Sequence, residues 1–175
     1  MSVKSKVKSA TKAVVRAITP QANGPQHTDI LDTLKEEHDE VKSLLAELQD
    51  AHSGSQRKAL VHKIKLALIP HAKAEQKVVY DAVIALRDKD AQVDGHEGYL
   101  EHDLAAETLQ RLAGISNATS PEHKATAKVL KELLEHHIKE EESNVWGDVK
   151  KNFSHQDRTS MNVAFIAAKS RVKVT

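Results

Sequence analysis

The sequence predicts an all-α fold: an antiparallel up-down four-helix bundle, with a short additional C-terminal helix and a basic N-terminal arm. Three observations predict it. Apolar residues recur at helical spacing over four long segments joined by short turns. Six glycines and four prolines are few for a turn-rich β chain. The chain also repeats itself, with the first two long segments sharing motif offsets with the second two.

The first helix is expected over about 28–51, where Ile30, Leu31, Leu34, Val41, Leu44, Leu45 and Leu48 form one stripe. His52 to Ser55 read as a turn. The second helix is expected over about 55–89, with a kink or break at Pro70. The third runs about 96–114 and ends near Gly114. The fourth starts at Ser120-Pro121, a cap followed by proline at the first helical position, and continues to about 150. A fifth helix, about 157–172, carries Met161, Ala164, Phe165 and Ala168. The organisation is thus an arm and linker over 1–26, a bundle over 27–152 and an amphipathic C-terminal helix over 153–175.

Residues 1–26 hold Lys4, Lys6, Lys8, Lys12 and Arg16 and no acid, a charge of +5 in a chain whose net charge is only +1. The rest of the chain is therefore acidic, at −4. Val3, Val7, Ala10, Val14 and Ile18 recur at helical spacing. That pattern allows a helix on an anionic surface, membrane or nucleic acid, beside the plainer reading of a solvated arm. Arg16 interrupts the short apolar run before it, so the arm does not read as a secretory signal, and a cytoplasmic location is expected. No run approaches the ~18–20 apolar residues of a membrane span.

Composition excludes several chemistries. The chain has no cysteine, which removes thiol catalysis, disulfides and Cys-ligated metal sites. Aromatics are 3%, against a stacking platform for single strands, and no specific nucleic-acid partner is expected. The glycine loops of nucleotide sites, the zinc-protease His-Glu-x-x-His and the Gly-x-Ser-x-Gly elbow are absent. The unusual count is eleven histidines, the commonest metal-ligating side chain.

The histidines fall into the repeat. His38-Asp39 precedes Leu45 and Leu48 as His102-Asp103 precedes Leu109 and Leu112. His71 and Glu75 precede Val79-Tyr80 as His137 and Glu141 precede Val145-Trp146. Positions i and i+4 lie ~40° apart on a helix, so each His/Glu pair points one way. The sum is four imidazoles and two carboxylates about a pseudo-two-fold, enough for two metals bridged by the carboxylates. This donor set suits iron, zinc or manganese. His136 with Glu140 has the same spacing, but only His137 with Glu141 continues the parallel with His71 and Glu75. Two buried carboxylates without a counter-charge are costly, and a metal resolves that cost. The remaining histidines (27, 52, 62, 96, 123, 136 and 155) read as surface or turn residues. Glu-x-x-His, the di-iron signature of ferritin-like bundles, does not end in any of the four.

On Glu37-His38-Asp39, His71 to Glu75, Glu101-His102-Asp103 and His136 to Glu142, the chain resembles the hemerythrin-like, HHE cation-binding family. The resemblance covers about 28–152. It implies a non-haem centre of two iron ions with an oxo or hydroxo bridge. Two of His38, His71, His102 and His137 would serve each iron, with Glu75 and Glu141 bridging. Oxygen-carrying hemerythrins have a fifth histidine one turn from the third-helix ligand, where this chain has Gly98 and Ala106. They also place an aspartate five residues after the last histidine, where this chain has Glu141 after four. The resemblance therefore implies peroxide, nitric oxide or iron handling rather than reversible oxygen carriage. Tyr99, three residues before His102, is a candidate donor beside the metals or a fifth oxygen ligand, and otherwise a packing tyrosine. The reading is a di-iron protein that binds or reduces a small oxidant, peroxide or oxygen and also nitric oxide. The alternative is a helical binding module whose histidines are incidental or hold zinc, and whose arm contacts nucleic acid or membrane.

Overall fold

Asp29 starts the first helix, and its carboxylate accepts from the Leu31 amide at 3.1 Å, one of the donors a helix start leaves unpaired. The computed structural model describes residues 28–174, so the arm over 1–26 lies outside the described residues. Helices are α1 (Ile30–Asp50), α2 (Gly54–Glu75), α3 (Asp81–Ile84), α4 (Lys89–Gly114), α5 (Pro121–Glu140), α6 (Trp146–Asn152) and α7 (His155–Lys169). A π-helical turn, Gln76–Tyr80, joins α2 to α3, and a second, Glu141–Val145, joins α5 to α6. Among the described residues there is no strand, and no helix is long and apolar enough to cross a membrane.

The turn chemistry behaves as the sequence suggests. Ser53 and Gln56 form a capping box at α2, Ser120 caps α5 ahead of Pro121, and Ser154 with Asp157 caps α7. The long helices form a ring in which α1 touches α2 and α5, and α4 touches the same two. The result is an all-helical bundle, with α7 laid across α1 and α2.

Three expectations about the elements change. α2 is not broken at Pro70; the departure from α geometry comes at Gln76–Tyr80. The comparable departure at Glu141–Val145 has no proline in the turns just before it, so the π turns go with the glutamates of the His/Glu pairs and not with Pro70. The second long segment stops at Ile84 rather than near 89, and α4 begins at Lys89 rather than near 96. Asp88 caps it, accepting from the Asp90 and Ala91 amides. Gly95 and Gly98 argue for a later start by propensity alone. Both are there for packing: a Cβ on Gly95 would sit 2.7 Å from Ile84 Cγ1, and one on Gly98 2.5 Å from Tyr80 Cζ.

α7 is pinned to the start of α1. Arg158 Nε donates to Asp29 Oδ2 at 2.8 Å, and His155 Nδ1 lies 3.4 Å from the same oxygen. Burial alone would raise the Asp29 carboxyl, but Arg158, the Leu31 amide and His155 outweigh it and hold it below its ordinary value. A lowered carboxyl stabilises the fold above its unfolded pKa, and that contribution is lost as pH falls through the folded value. Asp29→Asn keeps a cap and loses the charge. It is expected to be less stable than the parent at pH 7 by about 1 kcal/mol, and equal to it once the parent's Asp29 is protonated. Urea unfolding at both pH values checks this.

The core is in two parts. One apolar cluster gathers Leu45, Leu48, Ile64, Leu109, Leu112 and Leu130 with their neighbours. The other gathers Ile30, Leu34, Val79, Tyr80, Val83, Val149 and Phe165. Each long helix passes from one cluster to the other, and in each a histidine occupies the step: His38 between Leu34 and Val41, His71 between Leu68 and Ala74, His102 between Ala91 and Ala105, His137 between Leu134 and Val145.

Candidate metal centre

A polar layer therefore separates two apolar ones. His38, His71, Glu75, His102, His137 and Glu141 are all at most 3% exposed. Glu75 Oε2 lies 3.2 Å from His71 Nε2 and 3.5 Å from His102 Nε2. Glu141 Oε2 lies 3.5 Å from both His38 Nε2 and His137 Nε2. Two ligand-sized groups result, His38 with His71 and Glu75, and His102 with His137 and Glu75. The structure thus brings together all six residues singled out in the sequence. It also supplies the pairing of histidines that the sequence left open, α1 with α2 and α4 with α5.

The outward nitrogens explain why the Nε2 atoms face inward. His71 Nδ1 meets Glu37 Oε2 at 3.0 Å, His137 Nδ1 meets Glu101 Oε2 at 2.7 Å, and His38 Nδ1 meets Glu142 Oε1 at 3.1 Å. A carboxylate accepting from Nδ1–H fixes the tautomer and leaves the Nε2 lone pair for a metal. Glu37 and Glu101 occupy equivalent places in the two halves, each preceding one helix's histidine and holding the next helix's. The pseudo-two-fold fails at one point. Gln76 stands where the repeat would place a partner of Glu142, and it accepts from Lys73 Nζ at 3.2 Å. His102 Nδ1 has no hydrogen-bond partner.

Glu37, Glu101 and Glu142 were present in the sequence motifs without a role. Their signal was adjacency to His38, His102 and Glu141. Trp146 was likewise missed: its indole N–H donates to Glu141 Oε1 at 3.3 Å, and its ring stacks on His38 with centroids 5.8 Å apart. Phe165 of α7 meets the His71 ring edge-on at 5.9 Å, and Lys169 pairs with Glu37 at 2.6 Å. α7 is thus a wall of the centre.

Tyr99 does not face this layer. Its hydroxyl donates to Asp81 Oδ1 at 2.8 Å and lies 3.0 Å from the Gln76 carbonyl, tying α4 to the π turn and α3. The tyrosine at the centre is Tyr80, fully buried, its ring tilted against His102 at 5.3 Å in the space Gly98 leaves open. Among the other histidines, His123 is a correction. It is buried at the far end of the bundle, accepting from Arg57 Nε at 3.3 Å while Arg57 caps the Leu48 and Ala51 carbonyls. His52, His62, His96, His136 and His155 are exposed, and His27 lies outside the described residues.

The electrostatics are those of a layer short of positive charge. Burial raises Glu141, and Glu75 beside it raises it further. Burial would also raise Glu75, but His71 outweighs that and holds its carboxyl below the ordinary range. For His71, burial is outweighed by Glu75 and Glu37, so its pKa rises to about 9. Burial pushes His38 down to about 4 and His102 well below the usual imidazole value.

The residues present fit a metal. His38 Nε2, both Glu75 oxygens, Glu141 Oε2 and the Tyr80 hydroxyl are buried and make no well-formed hydrogen bond, although imidazole nitrogens stand 3.2–3.5 Å from the two carboxylates. Buried polar atoms are nearly always paired, and this group of unpaired ones converges on one layer. Imidazole and carboxylate donors held by outer carboxylates are what divalent first-row metals take.

Comparison with known proteins agrees with the geometry. Residues 29–146 match the hemerythrin HHE cation binding domain. The chain belongs to this family. A curated relative from Nostoc sp. (strain PCC 7120), described as a DNA nickase, is 28% identical over 171 residues, 98% of this chain and 47% of the relative. The chain thus spans about half the length of that relative. No solved structure matches it. The HHE match stops at Trp146, so α7 lies beyond the matched residues although it packs on the centre.

Proposed function

We propose that this hemerythrin-family chain is a non-haem di-iron protein that binds or reduces a small oxidant, peroxide or oxygen, and also nitric oxide. The observation that carries the reading is the convergence of six buried donors from four helices and the π turn after α5, with carboxylates holding three of the imidazoles from outside. His38 and His71 would hold one iron, His102 and His137 the other, with Glu75 and Glu141 shared between them. Bound there, two iron ions supply electrons and an open position for a small ligand. The chain's own part is to hold and to exclude. Glu37, Glu101 and Glu142 orient the imidazoles, Trp146 orients Glu141, and the two apolar clusters keep bulk water from the layer. The same reading takes the four long helices as an antiparallel up-down bundle, places the protein in the cytoplasm and gives it a diatomic or peroxide ligand.

The test is elemental analysis of tag-free protein produced with iron, followed by optical spectra under peroxide and under nitric oxide. About two irons per chain, with a near-ultraviolet and visible absorption that each reagent changes, is the expected result. A colourless, iron-free and folded protein would overturn it.

A second reading has one observation of its own, the likeness to the DNA nickase over nearly the whole chain. Under it, the metals act on a phosphodiester and the basic arm contacts the backbone. Conversion of supercoiled plasmid to open circle by iron- or manganese-loaded protein separates the two readings.

A further inference from the structure

The two sides of the candidate centre differ in charge. On the α1 and α2 side the outer carboxylates have lysine partners: Glu37 meets Lys169, and Glu142 lies 3.5 Å from Lys42 and 3.9 Å from Lys35. On the other side a narrow crevice opens between α4 and the π turn that follows α5. Its rim carries Asp94, Glu97 and Glu140, with Asp148 close to Asp94. Among the described residues none of these four has a Lys or Arg partner. Burial, then Asp148 and Glu97, push the Asp94 carboxyl up, as a concentration of negative charge does.

The crevice is more than an acidic patch. Its inner wall is Tyr80, His137 and Glu141, the same buried groups that form the centre. Neither the Tyr80 hydroxyl nor Glu141 Oε2 makes a well-formed hydrogen bond there, and the imidazoles nearest Glu141 Oε2, His38 and His137, stand 3.5 Å off. From rim to wall the residues pass from exposed Glu97, through half-buried Asp94 and Glu140, to buried Glu141. One continuous crevice joins surface carboxylates that have no Lys or Arg partner to a buried carboxylate of the centre. A cleft lined with one sign of charge focuses the field and raises the local concentration of opposite ions.

We propose that this crevice is the loading route for the centre: Asp94, Glu97 and Glu140 draw a hydrated divalent cation, ferrous ion by the reading above, and pass it to Glu141. The proposal rests on the metal-centre reading, and it concerns rate, where that reading concerns occupancy. The rim residues hold the ion in transit and are not ligands of the final site.

The single tryptophan provides the measurement, because Trp146 touches both His38 and Glu141. Metal-free full-length protein is mixed with ferrous ion without oxygen, and Trp146 fluorescence is followed over a range of salt. In the parent, loading is expected to slow steeply as salt rises. Asp94→Asn/Glu97→Gln/Glu140→Gln is expected to load about tenfold more slowly at low salt, with a flattened salt dependence, and to reach the parent's final iron content. Glu97→Lys alone, at an exposed position, is expected to act in the same direction and keeps the test open if the triple variant fails to fold. Glu36→Gln/Glu40→Gln, on the exposed face of α1, is expected to leave the rate unchanged. Equal rates and equal salt dependence in the parent and rim variants would overturn the route while leaving the centre standing. A parent that takes up no iron would overturn both.

Discussion

Glu75→Ala is expected to lose most of the bound metal and, with it, the stabilisation that metal gives. Glu75 is the one residue common to both ligand groups, so its removal takes a donor from each. A ligand that binds only the folded state at a thousand times its dissociation constant stabilises by about 4 kcal/mol. The parent should therefore melt well above its chelated form, and Glu75→Ala should show almost no difference between the two. The metal-free proteins should differ much less. Removing Glu75 breaks its pair with His71, but it also removes the neighbour that drives Glu141 up, and these effects oppose. His137→Ala should lose metal similarly, from one group. Calorimetric melting with and without chelator, beside iron analysis, checks both. Unchanged metal content in both variants would sink the ligand assignment.

The sequence made the centre legible because helical geometry is local. A His/Glu pair four residues apart points one way whatever the rest of the chain does, and its recurrence after 66 residues marks two equivalent hairpins. What is not local was hidden. The Nδ1 partners sit on other helices, so nothing in the spacing of Glu37 or Glu142 names His71 or His38. The tyrosine at the centre was hidden for the same reason. Tyr99 is three residues from His102 along the chain, but the π turn and Gly98 bring Tyr80 to that ring instead. The boundaries missed at Ile84 and Lys89 have a related cause. Gly95 and Gly98 weaken a helix by propensity, yet here they let α3 and the π turn press against α4. α7 looked like an addition because its apolar stripe does not say which surface it covers.

Leu45→Ala is expected to cost about 2–5 kcal/mol, the range for emptying a leucine site in a close-packed core, without changing metal content. Leu45 is fully buried in the cluster on the far side of the histidine layer, with Leu48, Ile64 and Leu130 around it. For a domain of this size that is a fall in melting temperature of roughly 5–15 °C. Val79→Ala should behave differently. Val79 is also fully buried, but it lies in the π turn between Glu75 and Tyr80, within the cluster that holds Tyr80 and Trp146. Emptying it loosens the backbone that aims Glu75, so metal affinity and stability should fall together. The polar layer makes the distinction possible. Four histidines and two glutamates interrupt the apolar core, and the clusters on either side share only the helices that run through them. If Leu45→Ala and Val79→Ala weaken metal binding equally, the two clusters act as one core, and the layer is no boundary between them.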